Sequence, residues 1–343
     1  MALFERLTGA IFGAPKSTDA AAERALVGEM TDAVVDAVEP KVRMHSRYRQ
    51  KLEPCMRQSI EHLRTLGREP LEPVLLSRAV WANDPRVNAF FATADDVRAC
   101  LGRSQELRRF FDQPANAAVQ EAYALLGMKK EERAVLGMEL KGDAVQRDVA
   151  QTQVSFSGHR IVAPSPTLAA TRLEIGRRIL LRLAQVALAR IVAADAKATE
   201  LQSRKAYLVS RIRVLRLAEE GMEGIVKDPA TIAAEMRAVE RELDQTVEGY
   251  IEAKAGAATI EGYLQHIEDV FSHPEQQVTL THQPLRVSRL GVRVEGDTAG
   301  PVNELQLAEL AIGEFRAAIA IARCPRAELA SKEDLIAQAE RSL

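Results

Sequence analysis

The sequence predicts a mostly α-helical fold with an N-terminal multi-helix body, a long antiparallel coiled-coil hairpin arm, a small antiparallel β-sheet at the base of that arm, and C-terminal helices packed on the body. Three observations predict it. A heptad seam runs without a slip from Ile232 to Phe271. The segment before it, Thr167 to Val226, repeats the pattern and contains no proline. Two Val- and Thr-rich stretches of alternating polarity bracket the pair.

Residues 1–14 form an amphipathic start, with Leu3, Phe4, Leu7 and Ile11 on one helical face. Residues 18–140 read as the helical body. Thr18 to Glu39 is an alanine-rich acidic helix that Pro40 ends, and Lys41 to Lys51 then carries five basic residues and no acid. Prolines at 54, 70, 73, 85 and 114 cut the following chain into short helices. These are Cys55–Leu66, Pro70–Trp81, Ala94–Leu101 behind a Thr93 cap, Gln105–Phe111 behind Ser104, and Ala115–Leu126, with a turn at Asn83-Asp84-Pro85. Phe90, Phe91, Phe110, Phe111, Trp81 and Tyr123 supply most of the aromatic mass and read as core.

Residues 145–163 and 277–296 are the two strand segments, broken by Gly158, Pro284 and Gly291, the last a candidate bulge. Residues 167–273 form the hairpin between them. Its first helix carries the seam Leu173, Leu180, Ala184, Ala187, Ile191, Ala194, Ala198, Leu201, Leu208, Ile212, Leu215, Met222 and Val226, with Thr167 as N-cap. The second helix starts at Asp228-Pro229 and stops at His273-Pro274. Its seam is Ile232, Met236, Val239, Leu243, Thr246, Tyr250, Ala253, Ala257, Ile260, Leu264, Ile267 and Phe271. Charge favours pairing the two helices. Arg172 to Arg216 holds eleven basic and three acidic residues, and Ala230 to His273 holds three basic and nine acidic ones. In the C-terminal part, residues 301–343, helices are expected over Asn303–Ala322 and Ser331–Ser342, with Leu305, Leu310, Ile312, Phe315 and Ile319 facing the body or sheet.

With 46 Lys+Arg against 48 Asp+Glu over 343 residues, no global charge directs the chain to nucleic acid or an anionic membrane. Cys55, Cys100 and Cys324 lie far apart without a CxxC, which argues against a disulfide framework or a zinc knuckle. No apolar run approaches the roughly 20 residues of a membrane span, and the start lacks a basic n-region, so a cytoplasmic setting is expected.

The common phosphate-loop, dinucleotide, hydrolase and zinc-protease signatures are missing from the sequence, and no cofactor is called for. The nearest thing to a metal ligand set is His266, Asp269 and His273 at i, i+3 and i+7, one ligand short of a closed site. The basic run at Lys41–Lys51 reads as the ion-pairing complement of the acidic helix before it.

The opening MALFERL is similar to the membrane-binding first helix of phage-shock-protein-A and other bacterial ESCRT-III-like proteins, which also possess a long helical hairpin. The likeness covers about seven residues. In that family the hairpin follows the first helix almost directly, whereas here about 150 residues and a strand intervene, so the family is not assigned. The resemblance implies a membrane-facing role for Leu3, Phe4, Leu7 and Ile11, yet Arg6 is the single basic side chain available to help them. The expectation is therefore a non-enzymatic scaffold or adaptor that self-associates or holds a protein partner through the coiled-coil arm Thr167–His273, with Ile232–Phe271 as its interaction seam. A peripheral membrane assembly protein and a helical enzyme without a familiar motif are the alternatives.

Overall fold

The computed structural model describes residues 20–69, 71–141, 144–220, 229–256, 259–294 and 302–329. They form two compact units. The sheet unit draws on Met1–Leu26, Ser59–Ile179 and Pro274–Leu343, and the helical unit on Val27–Gln58 and Leu180–His273. In chain order the elements are α1 (Ala20–Val38), α2 (Tyr48–Leu66), β1 (Val74–Leu75), α3 (Pro85–Phe90), α4 (Ala94–Arg103), α5 (Gln105–Asp112), β2 (Glu121–Lys141), β3 (Ala144–Ser165), α6 (Leu168–Glu220), α7 (Pro229–Gly256), α8 (Ile260–Phe271), α9 (Pro274–Gln277), β4 (Val278–Ser288), β5 (Val302–Ile312) and β6 (Phe315–Pro325).

This corrects the mostly α expectation with its small sheet. The sheet has six strands in the order β3-β2-β6-β5-β4, with β1 added to β6 in parallel, and it organises a unit of its own. The expected helix Asn303–Ala322 is instead the hairpin of β5 and β6, joined through Gly313-Glu314, with Gly313 at φ +57°. Alanine and leucine favour helix locally, but alternation at Leu305 and Leu307, resumed in the other phase at Leu310 and Ile312, and a two-residue glycine turn prevail once partners pair on both sides. Pro70–Trp81 is likewise no helix, giving β1 and a 3-10 turn over Arg78–Val80. The expected helix Ala115–Leu126 yields a 3-10 turn at Pro114–Asn116 and the start of β2. The C-terminal helix expected over Ser331–Ser342, the start containing Leu3, Phe4, Leu7 and Ile11, and the seam positions Met222, Val226 and Ala257 lie outside the described residues.

The sheet closes on itself. After β4 the chain turns at Gly291 and runs back as a narrow strip, residues 291–294. Ser288 N donates to Val292 O at 2.8 Å and Val294 N to Arg286 O at 3.0 Å, tying the strip to β4. Val154 N donates to Gly291 O at 2.7 Å and Arg293 N to Thr152 O at 2.8 Å, tying it to β3. The Arg293 guanidinium adds an ion pair with Glu132 on β2 at 2.7 Å. Closure satisfies edge groups that an open sheet would leave to water.

One face of the sheet is paved with small residues, Ala122 and Ala124 on β2 and Ala318, Ala320, Ala322 and Cys324 on β6. That leaves room for the aromatic helices: Phe90, Phe91, Leu101, Leu107, Phe110 and Phe111 of α3–α5 complete this core. Each short helix is fixed by its cap. Asp84 accepts from Arg86 N and Val87 N, Thr93 and Asp96 form a reciprocal capping box, and Ser104 accepts from Leu107 N while donating to Ile161 O at 2.9 Å. Ile319 and Ile321 alternate onto the opposite face and are buried too. Buried Thr171 of α6 donates to Tyr123 O at 3.1 Å. At a register shift in the β2–β3 pair, buried Ala163 takes φ 58°, and its N–H goes to the Glu106 carboxylate at 2.9 Å. Arg178 holds that carboxylate at 2.7 Å.

The helical unit rests on the long seams. α6 has 53 residues, about 80 Å at the standard rise. Thr167 starts it, accepting from Ala170 N at 3.2 Å. Leu208, Ile212 and Val239 form a buried cluster supported by Leu215, Met236 and Leu243. With Leu201 set beside Gly249 and Arg204 beside Glu242, these contacts run α6 and α7 antiparallel. The second helix is interrupted rather than continuous: α7 ends at Gly256, and Thr259 caps α8 by accepting from Gly262 N at 2.9 Å.

Candidate functional site

The expected interaction seam is placed as follows. Ile232, Val239, Leu264, Ile267 and Phe271 are buried, and Met236, Leu243, Tyr250 and Ile260 are partly buried. Within α7 this seam is spent on α6, so its apolar side chains face inward. Tyr250 sits under Lys254 and Lys205, whose ammonium groups lie 5.3 and 5.9 Å from the ring centre. The attraction of ammonium to a ring face contributes a few tenths of a kcal/mol to about 1 kcal/mol at such exposed positions.

What remains exposed is the outward side of the same helices. Val192, Tyr207, Val214 and Leu217 on α6 and Ile251 on α7 are between 52% and 69% accessible. They are five of the nine large apolar side chains exposed among the described residues. Tyr207, Ser210, Val214 and Leu217 follow a three-four-three spacing, which makes a second helical stripe turned away from the first. In the sequence this stripe is hidden by the inner seam, which is longer and richer in leucine and dominates the periodicity.

Beside the stripe, Arg190, Lys197, Arg204 and Arg211 stand seven residues apart. Arg204 pairs with Glu242, which raises the arginine's pKa through their hydrogen bond. Arg190, Lys197, Arg211, Arg213 and Arg216 are exposed and form no ion pair among the described residues. The basic run after α1 behaves differently. Arg43 pairs with Asp36 at 2.6 Å, Arg49 with Asp32, and Lys51 with Glu261 at 2.7 Å. Burial pushes the Asp32 carboxyl up, but its bonds with Arg49 and Tyr48 prevail and hold it below the ordinary carboxylate value.

The sheet unit offers a cavity of about 370 Å³ where β5 and β6 part company. Their pairing ends at Ala308–Ile319, and β1 takes up the edge of β6 at Ala322–Arg323. Val74, Phe90, Leu305 and Ile319 make an apolar floor, with Arg86, His282, Glu304 and Gln306 around it. Arg86 lies 3.3 Å from Asp84 and Glu304 2.8 Å from Arg286, whereas His282 Nε2 is buried 3.5 Å from Glu69 without a hydrogen bond among the described residues. Among the described residues its lining holds no Ser, Thr, Cys or Lys. A second crevice of about 360 Å³ lies where β2 leaves β6 and is lined by Lys129, Lys130, Thr281, Glu309 and Arg316, with Lys130 paired to Glu309.

The three residues singled out for metal are not gathered. Asp269 is exposed and accepts from Gln265 at 2.8 Å, His273 is exposed, and His266 Nε2 is buried without a hydrogen-bond partner among the described residues. Among those residues no group of three or more His, Cys, Asp or Glu side chains could hold a metal ion, and no helix is long and apolar enough to cross a membrane. No protein-family model, no curated protein and no solved structure matches the chain.

Proposed function

We infer that the protein is a helical scaffold or adaptor whose working surface is the outward side of the α6–α7 hairpin. The observation that carries this reading is the stripe Tyr207, Val214 and Leu217, more than half exposed on a helix whose inner seam is already filled. Full burial of a Val or Leu side chain contributes roughly 1.5–3 kcal/mol, so leaving three large apolar groups in water at helical spacing is a cost that a partner helix removes. The flanking exposed basic residues supply orientation and selectivity rather than bulk affinity.

A photo-reactive amino acid placed at Val214 tests the reading in cells. A discrete protein adduct at Val214, absent when the same group is placed at exposed Glu200, is the expected result. No adduct at Val214 or at Leu217, with the purified chain monomeric, would remove it.

A further inference from the structure

We propose that the partner of this surface is a second copy of the same hairpin, packed so that α6 of one molecule lies along α7 of the other. The proposal rests on the scaffold reading above and names its occupant.

Charge carries the argument. Between Arg190 and Arg216, α6 holds seven basic and two acidic residues; between Pro229 and Glu252, α7 holds six acidic and two basic ones. Intramolecular pairing leaves much of this unused. Arg204 takes Glu242, and stepping by seven in opposite directions along the antiparallel pair sets Lys197 against Gly249 and Arg190 against Gly256. Glycine offers neither of them a carboxylate. On the other helix Glu235, Glu240, Asp244, Glu248 and Glu252 are exposed and form no ion pair among the described residues. One helix of the hairpin thus carries an excess of cations, the other an excess of anions, and a two-fold axis lets each answer the other twice.

Register adds to it. With Arg204 and Glu242 at one level, a two-fold axis near Lys205 runs α6 parallel to α7 of the second copy. Arg213 and Arg216 then fall beside Glu248 and Glu252, and Val214 and Leu217 beside Ile251. The apolar stripe is covered and the charges flank it, the arrangement of a four-helix bundle. Two copies meeting α6 to α6 would instead oppose basic row to basic row.

Charge exchange tests this on the full-length protein by sedimentation equilibrium and native mass spectrometry. The wild type is expected to dimerise and to weaken with added salt. Arg213→Glu with Arg216→Glu, and separately Glu248→Lys with Glu252→Lys, should each raise the dimer Kd by about tenfold or more, and the four changes together should restore it. All four side chains are exposed and form no ion pair among the described residues, so circular dichroism should show unchanged helicity and melting of the monomer. A wild type that stays monomeric, or a dimer that neither double variant weakens, overturns the proposal. A monomer whose Val214 still cross-links to a different protein overturns the second copy while leaving the scaffold reading standing; a monomer with no adduct at Val214 or Leu217 overturns both.

Discussion

Val154 donates its N–H to the carbonyl of Gly291 at 2.7 Å, and a Cβ on Gly291 would stand 2.6 Å from the carbonyl oxygen of Val154. The contact that closes the sheet therefore also dictates the residue that makes it. Gly291 has φ +75°, a region L side chains rarely adopt, and the atom in the way is backbone. Gly291→Ala should destabilise the protein by about 2 kcal/mol or more, from the positive φ and the displaced strand pairing together. Denaturant unfolding measures it, and a change within experimental error would show that the strip contributes nothing to closure.

Glu23 and Arg64 form a two-pronged ion pair at 2.7 and 2.9 Å, with side chains 8% and 5% accessible. Removing Glu23 takes both short contacts from a buried guanidinium and leaves it the longer one, 3.3 Å, to the exposed Glu61. Glu23→Ala should cost about 3–5 kcal/mol, whereas Glu23→Leu combined with Arg64→Met should cost far less, because no charge is left buried. Equal losses in the single and double variants would argue that the site is held by packing alone.

Much of the helical unit was legible in the sequence because its signal is long. The seam from Leu180 to Leu215 and that from Ile232 to Phe271 each repeat often enough to fix which side chains turn inward. The break at Thr259 was not legible, since Gly256 and the capping threonine interrupt the helix without interrupting the period. The sheet was read only where valine and threonine alternate, in 145–163 and 277–296. β6, with its run Ala317-Ala318-Ile319-Ala320-Ile321-Ala322, looks helical by propensity, and strands buried on both faces lose the alternation that identifies them. β2 escaped notice for a related reason, as its charged stretch Lys129–Arg133 masks the pattern. The exposed stripe at Tyr207, Val214 and Leu217 could have been found by reading α6 for a second period once the first was assigned.

His159 stacks on Phe91 with ring centres 4.5 Å apart and hydrogen-bonds the Phe90 carbonyl at 2.7 Å. Burial holds its pKa below the ordinary 6.5, outweighing the hydrogen bond to Phe90 and the charge of Asp96, which both favour protonation. The unfolded chain therefore binds this proton more readily than the folded one, and stability is lost as pH falls through and below 6.5. Unfolding free energy measured at about pH 5.5 and pH 7.5 should differ less in His159→Gln than in the wild type. An unchanged difference would place the pH dependence on other groups.

The three cysteines should be silent towards thiol reagents while the chain is folded. All are buried and free. Burial pushes the Cys55 and Cys100 thiols up to about 12, and raises Cys324 as well. Because the thiolate is the reacting form, its fraction near neutral pH is vanishingly small. Titration with a chromogenic disulfide should report no thiols in buffer and all of them in guanidinium chloride, and a rapidly reacting thiol in the native state would mark a segment that opens.

The inner seam and the outer face of α6 should answer differently to the same kind of substitution. Leu208 is fully buried against Ile212 and Val239, with Leu243 alongside. Leu208→Ala removes its contacts and leaves space that helices fixed along their length fill poorly, so about 2–4 kcal/mol should be lost. Leu217→Ala, at 69% accessible, removes a side chain that already sits in water, and the isolated chain should change by less than about 0.5 kcal/mol. The comparison separates folding from association, since Leu217→Ala should weaken assembly at protein concentrations where Leu208→Ala has already lowered the melting temperature. If Leu217→Ala destabilises the chain as much as Leu208→Ala under conditions where the wild type is monomeric, the outer stripe belongs to the fold and not to a partner.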